Sequence, residues 1–116
     1  MPGADEVEVL TNETVFSLTA LPRRLIVIGG GPIGCEMGQA FSRLGTQITI
    51  LDVAEQILGK EDEDMADVVK NVMTSEGVKF YLGAAIETVK DLGSHKEVKL
   101  KTSDGQAVSL KAETIL

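Results

Sequence analysis

Tryptophan is absent from the 116 residues, tyrosine and histidine occur once each, and there is a single cysteine, Cys35. One thiol cannot close an internal disulfide, and with no second cysteine it offers no thiolate metal site. This usage agrees with a reducing compartment, so a cytoplasmic location is expected. No run of about 18 apolar residues is available to span a bilayer, and the N-terminus lacks the basic and apolar regions of a signal peptide, so no membrane partner is expected. Positive charge is also in short supply. Eleven Lys and Arg against 18 Asp and Glu leave a net charge of -7, the wrong sign for a phosphate backbone, and nucleic acid is not expected as a partner. What remains, 43% hydrophobic and 25% charged residues, describes a globular chain with enough length for one core.

The sequence contains no repeat and no low-complexity tract. Residues 1–13, MPGADEVEVLTNE, read as a polar lead-in, and one domain is expected over residues 14–116. FSLTALP suggests a short turn or helix stopped by Pro22. Leu25-Ile26-Val27-Ile28 is a continuous apolar run rich in β-branched residues, as in a strand buried on both faces of a parallel sheet. Ile33, Met37, Ala40, Phe41 and Leu44 then recur at helical spacing and predict one apolar helix face. Gly45 ends that helix, and Gln47 to Asp52 reads as a second strand, completing a βαβ unit with parallel strands. Met65, Val68, Val69, Val72 and Met73 predict a second helix from Asp62 to about Glu76, closed by Gly77, with a third strand over Val78 to Leu82.

Beyond Gly83 the punctuation changes to that of antiparallel sheet. IETVKD, EVKLKTS and AVSLKA read as three strands joined by tight turns, and Asp104-Gly105 is the strongest hairpin signal in the chain. Glu113-Thr114-Ile115-Leu116 looks like the beginning of a further apolar strand, and an excised domain of a longer protein is expected. The fold class predicted is α/β: a Rossmann-like, three-layer domain with a parallel sheet and an antiparallel three-stranded β-meander.

The chemistry concentrates in Gly29-Gly30-Gly31-Pro32-Ile33-Gly34, which fits GxGxxG with Gly29, Gly31 and Gly34 in the required places. The first glycine makes the strand-to-helix turn, the second lets a pyrophosphate approach the backbone, and the third brings the helix close to the strands. Pro32 suits the first helical position, and the free N–H groups of that turn, including that of Ile33, form an anion site. A lone GxGxxG is weak, but here it sits between a strand and a helix, and Asp52 follows at the end of the next strand. A carboxylate there can accept from both ribose hydroxyls and would repel the 2′-phosphate of NADP. VAEQI, residues 53–57, contains no base, although Lys60 could curl back, so NAD is favoured over NADP.

Other conspicuous residues have ordinary explanations. Cys35 reads as a small packing residue at a crowded helix start. His95 reads as a solvent-facing residue of the LGSHK turn. Glu61-Asp62-Glu63-Asp64 lacks the glycine and terminal acid of a calcium loop and suits the N-terminus of a helix, so no metal site is expected.

LPRRLIVIGGGPIGCEMGQAFSRLGTQITILD, followed by an acidic helix start and a meander, resembles the central nicotinamide-nucleotide domain of the FAD-dependent pyridine nucleotide-disulfide oxidoreductases. Within these it is most similar to the dihydrolipoamide dehydrogenase and mercuric reductase branch. The resemblance covers about Thr14 to Leu116, and GGGxIGxE is more specific than GxGxxG; Gly38 stands where the family usually has Ala. It implies that Glu36, an acid read in the first helical turn, lies beside the nicotinamide near a flavin, and that Asp52 holds the adenosine ribose. It also implies an FAD domain, a CxxxxC redox pair and a dimerisation domain supplying a catalytic His, all belonging to a homodimeric parent. This sequence has one cysteine, one histidine and one dinucleotide fingerprint, so no catalytic residue is assigned in it and the domain alone is not expected to turn over. Two alternatives stay open: a stand-alone nucleotide-sensing module, and a methyltransferase-like domain binding S-adenosylmethionine.

Overall fold

The computed structural model describes residues 22–54, 57–58 and 63–116. The lead-in over residues 1–13, the FSLTAL segment, Lys60 and Glu61-Asp62 lie outside the described residues. The elements run β1 (Arg24–Ile28), α1 (Pro32–Arg43), β2 (Gln47–Leu51), α2 (Glu63–Ser75), β3 (Lys79–Tyr81), β4 (Ala85–Asp91), β5 (Lys96–Lys101), β6 (Ala107–Ala112) and β7 (Thr114–Ile115). Strands β3-β2-β1-β7 form a parallel sheet in that order, and β4-β5-β6 form a separate antiparallel sheet.

The alternation of side chains along β1 explains its continuous apolar run. Leu25 and Val27 enter a core shared with Cys35, Ile48, Ile50, Ala66, Met73 and Val78 on the helix side. Ile26 enters another core with Leu51, Val89, Val98, Leu100, Ala112 and Ile115 on the meander side. Helices, parallel sheet and meander thus make three layers, as the sequence predicts. The C-terminal segment pairs with β1: Leu116 N donates to the Ile26 carbonyl at 2.8 Å, and its carbonyl accepts from Ile28 N at 3.0 Å.

The helices are rotated from the faces their apolar periodicity suggests. In α1 the buried residues are Cys35 and Gly38, whereas Ile33 and Leu44 are exposed. In α2 Ala66 and Met73 are buried and Val69 packs against them, while Met65, Val68 and Val72 are exposed. In α1 close approach to the sheet favours the small Cys35 and Gly38 over the larger apolar residues, whereas α2 packs through Ala66, Val69 and Met73. At the other ends of the helices, Arg43 and Gln39 both donate to the Glu76 carboxylate at 2.8 and 3.0 Å, which holds its carboxyl below the usual range.

Two connections stabilise the meander. In the β5–β6 turn Gly105 has φ +86°, a value that glycine adopts freely, and Thr102 N donates to the Gln106 carbonyl at 2.9 Å. Thr102 also hydrogen-bonds Asp104, lowering the carboxyl's pKa. Where β6 passes into β7, Glu113 accepts from Arg24 N at 2.9 Å and from the guanidinium Nε at 3.1 Å, tying that joint to the start of β1. The hydrogen bonds from Arg24, ahead of any other influence, hold the Glu113 carboxyl below its ordinary value.

His95 departs from its expected position in solvent. It is half-buried, its Nδ1 lies 3.0 Å from Ser94 Oγ, and its Nε2 is buried without a protein partner. Leu92 N donates to the His95 carbonyl at 2.9 Å and closes the turn.

Candidate functional site

The carboxyl end of the parallel sheet is assembled from the ends of β1 and β2. Leaving β1, Gly29 takes φ +106°, a backbone conformation disfavoured for side-chain-bearing residues, and its N–H donates to the Leu51 carbonyl at 2.7 Å. Gly31 is the N-cap of α1, with φ -75° and ψ 178°, and it offers no side chain to bond the helix end. The Cys35 N–H reaches the Gly31 carbonyl at 2.9 Å, forming the first helical bond. The preceding N–H groups, those of Ile33 and Gly34, precede the first possible helical acceptor, and Pro32 has none. These donors, together with the positive end of the helix dipole, create a place for an anion.

Gly34, Gly31 and Gly38 have different physical reasons to lack a side chain. A Cβ on Gly34 would sit 2.4 Å from the Gly29 carbonyl oxygen and 3.2 Å from the Val27 side chain, so any side chain there would collide with backbone. A Cβ on Gly31 would meet nothing within 4 Å. The room it would occupy is open to whatever approaches the turn. Gly38, further along α1, faces Ile48 and Ile50, whose side chains would be 3.4 and 3.3 Å from an added Cβ. These are side-chain atoms rather than backbone, so its small size concerns packing.

Asp52 lies just past β2 and is half-buried. Its Oδ2 accepts from Gly30 N at 2.8 Å and its Oδ1 from Ala54 N at 3.0 Å, so the residue identified from sequence is bonded directly to the glycine turn. Sequence reasoning missed Ile57 and Leu58. Leu58, at φ +53°, donates its N–H to the Gly30 carbonyl at 2.6 Å, and Ile57, buried, would lie 3.0 Å from a Cβ on Gly30. An apolar pair inside the polar stretch VAEQILGKEDED is the signal that could have found them.

Glu36 is the fifth residue of α1 rather than a member of its first turn, which contains no acid. It is exposed, as are Pro32 and Ile33. Cys35 is buried, with its Sγ 3.5 Å from the Gly30 carbonyl. Burial first, and the nearby Asp52 charge second, push its thiol pKa up. A protonated, enclosed thiol is a packing group. Among the described residues no group of three His, Cys, Asp or Glu is placed to hold a metal, and no helix is long and apolar enough to cross a membrane. A separate cleft of about 280 Å³, lined by Arg24, Thr49, Lys79, Tyr81 and Lys111 among others, shares no residue with the glycine turn.

A parallel sheet entered through a glycine turn, helices on one face and a meander on the other define a Rossmann-like α/β domain. The family model described as pyridine nucleotide-disulphide oxidoreductase matches residues 1–116. Among curated relatives, the mercuric reductase of Bacillus cereus is 34% identical over 116 residues, covering 100% of this chain and 18% of that protein. The dihydrolipoyl dehydrogenase of Cupriavidus necator is 34% identical over 118 residues, covering 100% of this chain and 25% of the relative. Among solved structures, the HOCl-induced flavoprotein disulfide reductase RclA from Escherichia coli superposes with a TM-score of 0.84 at 28% identity, over 100% of this chain and 26% of that one. The water-forming NADH oxidase from Lactobacillus brevis bound to NADH matches with a TM-score of 0.77 at 25% identity, covering 99% and 26%. The chain belongs to the pyridine nucleotide-disulphide oxidoreductase family. It spans 18 to 25% of the length of these curated relatives, which are much longer oxidoreductases.

Proposed function

We propose that this domain binds NAD(H) across the turn formed by Gly29, Gly30, Gly31, Pro32, Ile33 and Gly34, and presents the nicotinamide to FAD held by another domain of a longer oxidoreductase. The observation that carries the reading is the open space over Gly31, which meets nothing within 4 Å, directly beside the unpaired start of α1. A pyrophosphate fits that space, because backbone N–H donors and the helix dipole face it and no side chain intrudes. The dipole contributes about 0.3–1 kcal/mol, so hydrogen bonds supply most of the affinity.

Asp52 supports NAD over NADP. Its carboxylate lies beside the turn, where a ribose would meet an acceptor and a 2′-phosphate would meet a like charge. The NADH carried by the Lactobacillus brevis oxidase, a structural match to this chain, agrees with a nicotinamide nucleotide. Glu36, exposed near the helix start, is available to the nicotinamide end. In the parent, flavin would accept the hydride from the nicotinamide once the two reacting atoms are held about 3–3.5 Å apart. The FAD domain and dimerisation domain of a cytoplasmic, homodimeric parent are the partners this reading assigns; the domain alone binds without turnover. The catalytic cysteines and histidine of such a parent lie beyond this sequence.

Calorimetric titration of the chain with NADH and NADPH tests the reading. NADH is expected to bind more tightly than NADPH, and Asp52→Ala to weaken NADH by about 1.5–3 kcal/mol, the range for hydrogen bonds to a charged group. Equal affinities in the unmodified chain would refute the NAD preference, and no binding of either would refute the site.

A further inference from the structure

We propose that Asp52 is a positioning residue for the phosphate cradle: its carboxylate holds the glycine turn in its open shape before any nucleotide arrives. The inference rests on the nucleotide reading above and adds a second task to the residue expected to meet the ribose.

Gly30 is buried at the centre of the turn, and each of its main-chain groups is taken. Its N–H donates to Asp52 Oδ2 at 2.8 Å, and its carbonyl accepts from Leu58 N at 2.6 Å. The neighbouring glycines define the turn poorly through sterics, since Gly29 is at φ +106° and neither Gly29 nor Gly31 has an atom within 4 Å of a Cβ position. Hydrogen bonds at Gly30 therefore carry the definition that side chains supply elsewhere.

The Asp52 end of the brace is itself fixed. Asp52 N donates to the Tyr81 carbonyl at 3.1 Å, its carbonyl accepts from Ala84 N at 2.9 Å, and Oδ1 accepts from Ala54 N at 3.0 Å. The β2, β3 and post-β3 backbones thus anchor one carboxylate, which in turn anchors the glycine turn. An ionised carboxylate offers about four lone-pair sites. Gly30 and Ala54 use one on each oxygen, so two remain for ribose hydroxyls. Removing the carboxylate leaves a buried N–H unpaired, and the turn must move to solvate it.

The test uses the chain as it stands, with amide exchange of Gly30 and Leu58 followed by NMR without ligand, and binding of ADP and 2′,3′-dideoxy-ADP by calorimetry. Asp52→Ala is expected to speed Gly30 exchange about tenfold or more while the Val98 amide in β5 is unchanged, as local opening requires. It is also expected to weaken dideoxy-ADP, which has no ribose hydroxyls, about fivefold. Unchanged dideoxy-ADP affinity, or unchanged Gly30 exchange, would overturn the brace and leave Asp52 acting through the ribose alone. If Asp52→Ala unfolds, Asp52→Asn carries the same two criteria, because the amide keeps the volume but has only one oxygen to serve two donors. If the unmodified chain binds neither nucleotide while the variant still loses Gly30 protection, the brace stands as a structural fact and the nucleotide reading fails instead.

Discussion

On the meander side of the parallel sheet, Leu51, Val89, Val98, Leu100 and Ile115 are each at most 2% exposed and interlock as full-sized side chains. On the other side α1 buries a cysteine and a glycine, and its closest approach to the sheet is made where Gly34 leaves no room for a methyl group beside the Gly29 carbonyl. The first arrangement derives stability from area removed from water, about 25 cal/mol per Å² of apolar surface. The second gives up side-chain area to bring backbone donors to the surface at a fixed distance from the strands. Both faces of the sheet are packed, the helix face through Leu25, Ile48, Ile50 and Met73, but only the helix face also presents backbone donors, and β1 serves both.

The contrast is tested most severely by emptying the meander core. Leu100→Ala removes a side chain that is 1% exposed and is expected to cost about 2–5 kcal/mol by urea denaturation. A cost below about 1 kcal/mol would mean that the meander core adds little to stability. Next comes the close approach: Gly34→Ala puts its methyl 2.4 Å from backbone and is expected to cost about 1–3 kcal/mol, with Gly34→Val at least as damaging. Normal stability in the alanine variant would show that α1 can lift from the sheet without penalty.

Acid should affect the meander joint at Glu113. Its folded-state pKa is depressed by Arg24, so its contribution is present above the unfolded glutamate pKa, near 4.5, and fades as pH falls through the lower folded value. Glu113→Gln is expected to lower the melting temperature at pH 7 by a small amount and to lessen the further fall between pH 5 and 3. A melting curve with unchanged acid sensitivity would remove Glu113 as its source. The smallest stability effect is expected at Gly31→Ala. The new methyl meets no protein atom, its backbone angles suit alanine, and alanine's poorer N-capping offsets the entropy it removes from the unfolded chain. Stability should stay within about 0.5 kcal/mol, yet NADH binding should be lost, because the methyl fills the space proposed for pyrophosphate. Normal NADH titration of this variant would break the link between open space and ligand.

The strand, glycine turn, helix and second strand were legible because each has a strong local signature. A doubly buried strand must be continuously apolar, and a tight turn with positive φ selects glycine. The meander was legible for the same reason, through alternation in Val98 and Leu100 and the Asp104-Gly105 turn. The helix faces were legible only in part: Phe41, Val69 and Met73 pack inward as their spacing suggests. Periodicity reports which residues share a face, but Ile33, Leu44, Met65, Val68 and Val72 are exposed because the sheet accepts the stripe that comes nearest. His95 is half-buried, which no local signal in LGSHK records.

At the site, sequence alone determined the residue types: glycines where the backbone must turn or approach, and an acid at the next strand's end. Their spacing along the chain reflects the fixed length of a βαβ unit. Only the tertiary structure decided that Gly34 is excluded by backbone while Gly31 is not, that Asp52 bonds Gly30, and that Leu58 closes the turn from the far side. Local sequence encodes torsional preference and polarity, whereas the Asp52 and Leu58 bonds to Gly30 join segments 22 and 28 residues apart, whose separation is set once the sheet has paired.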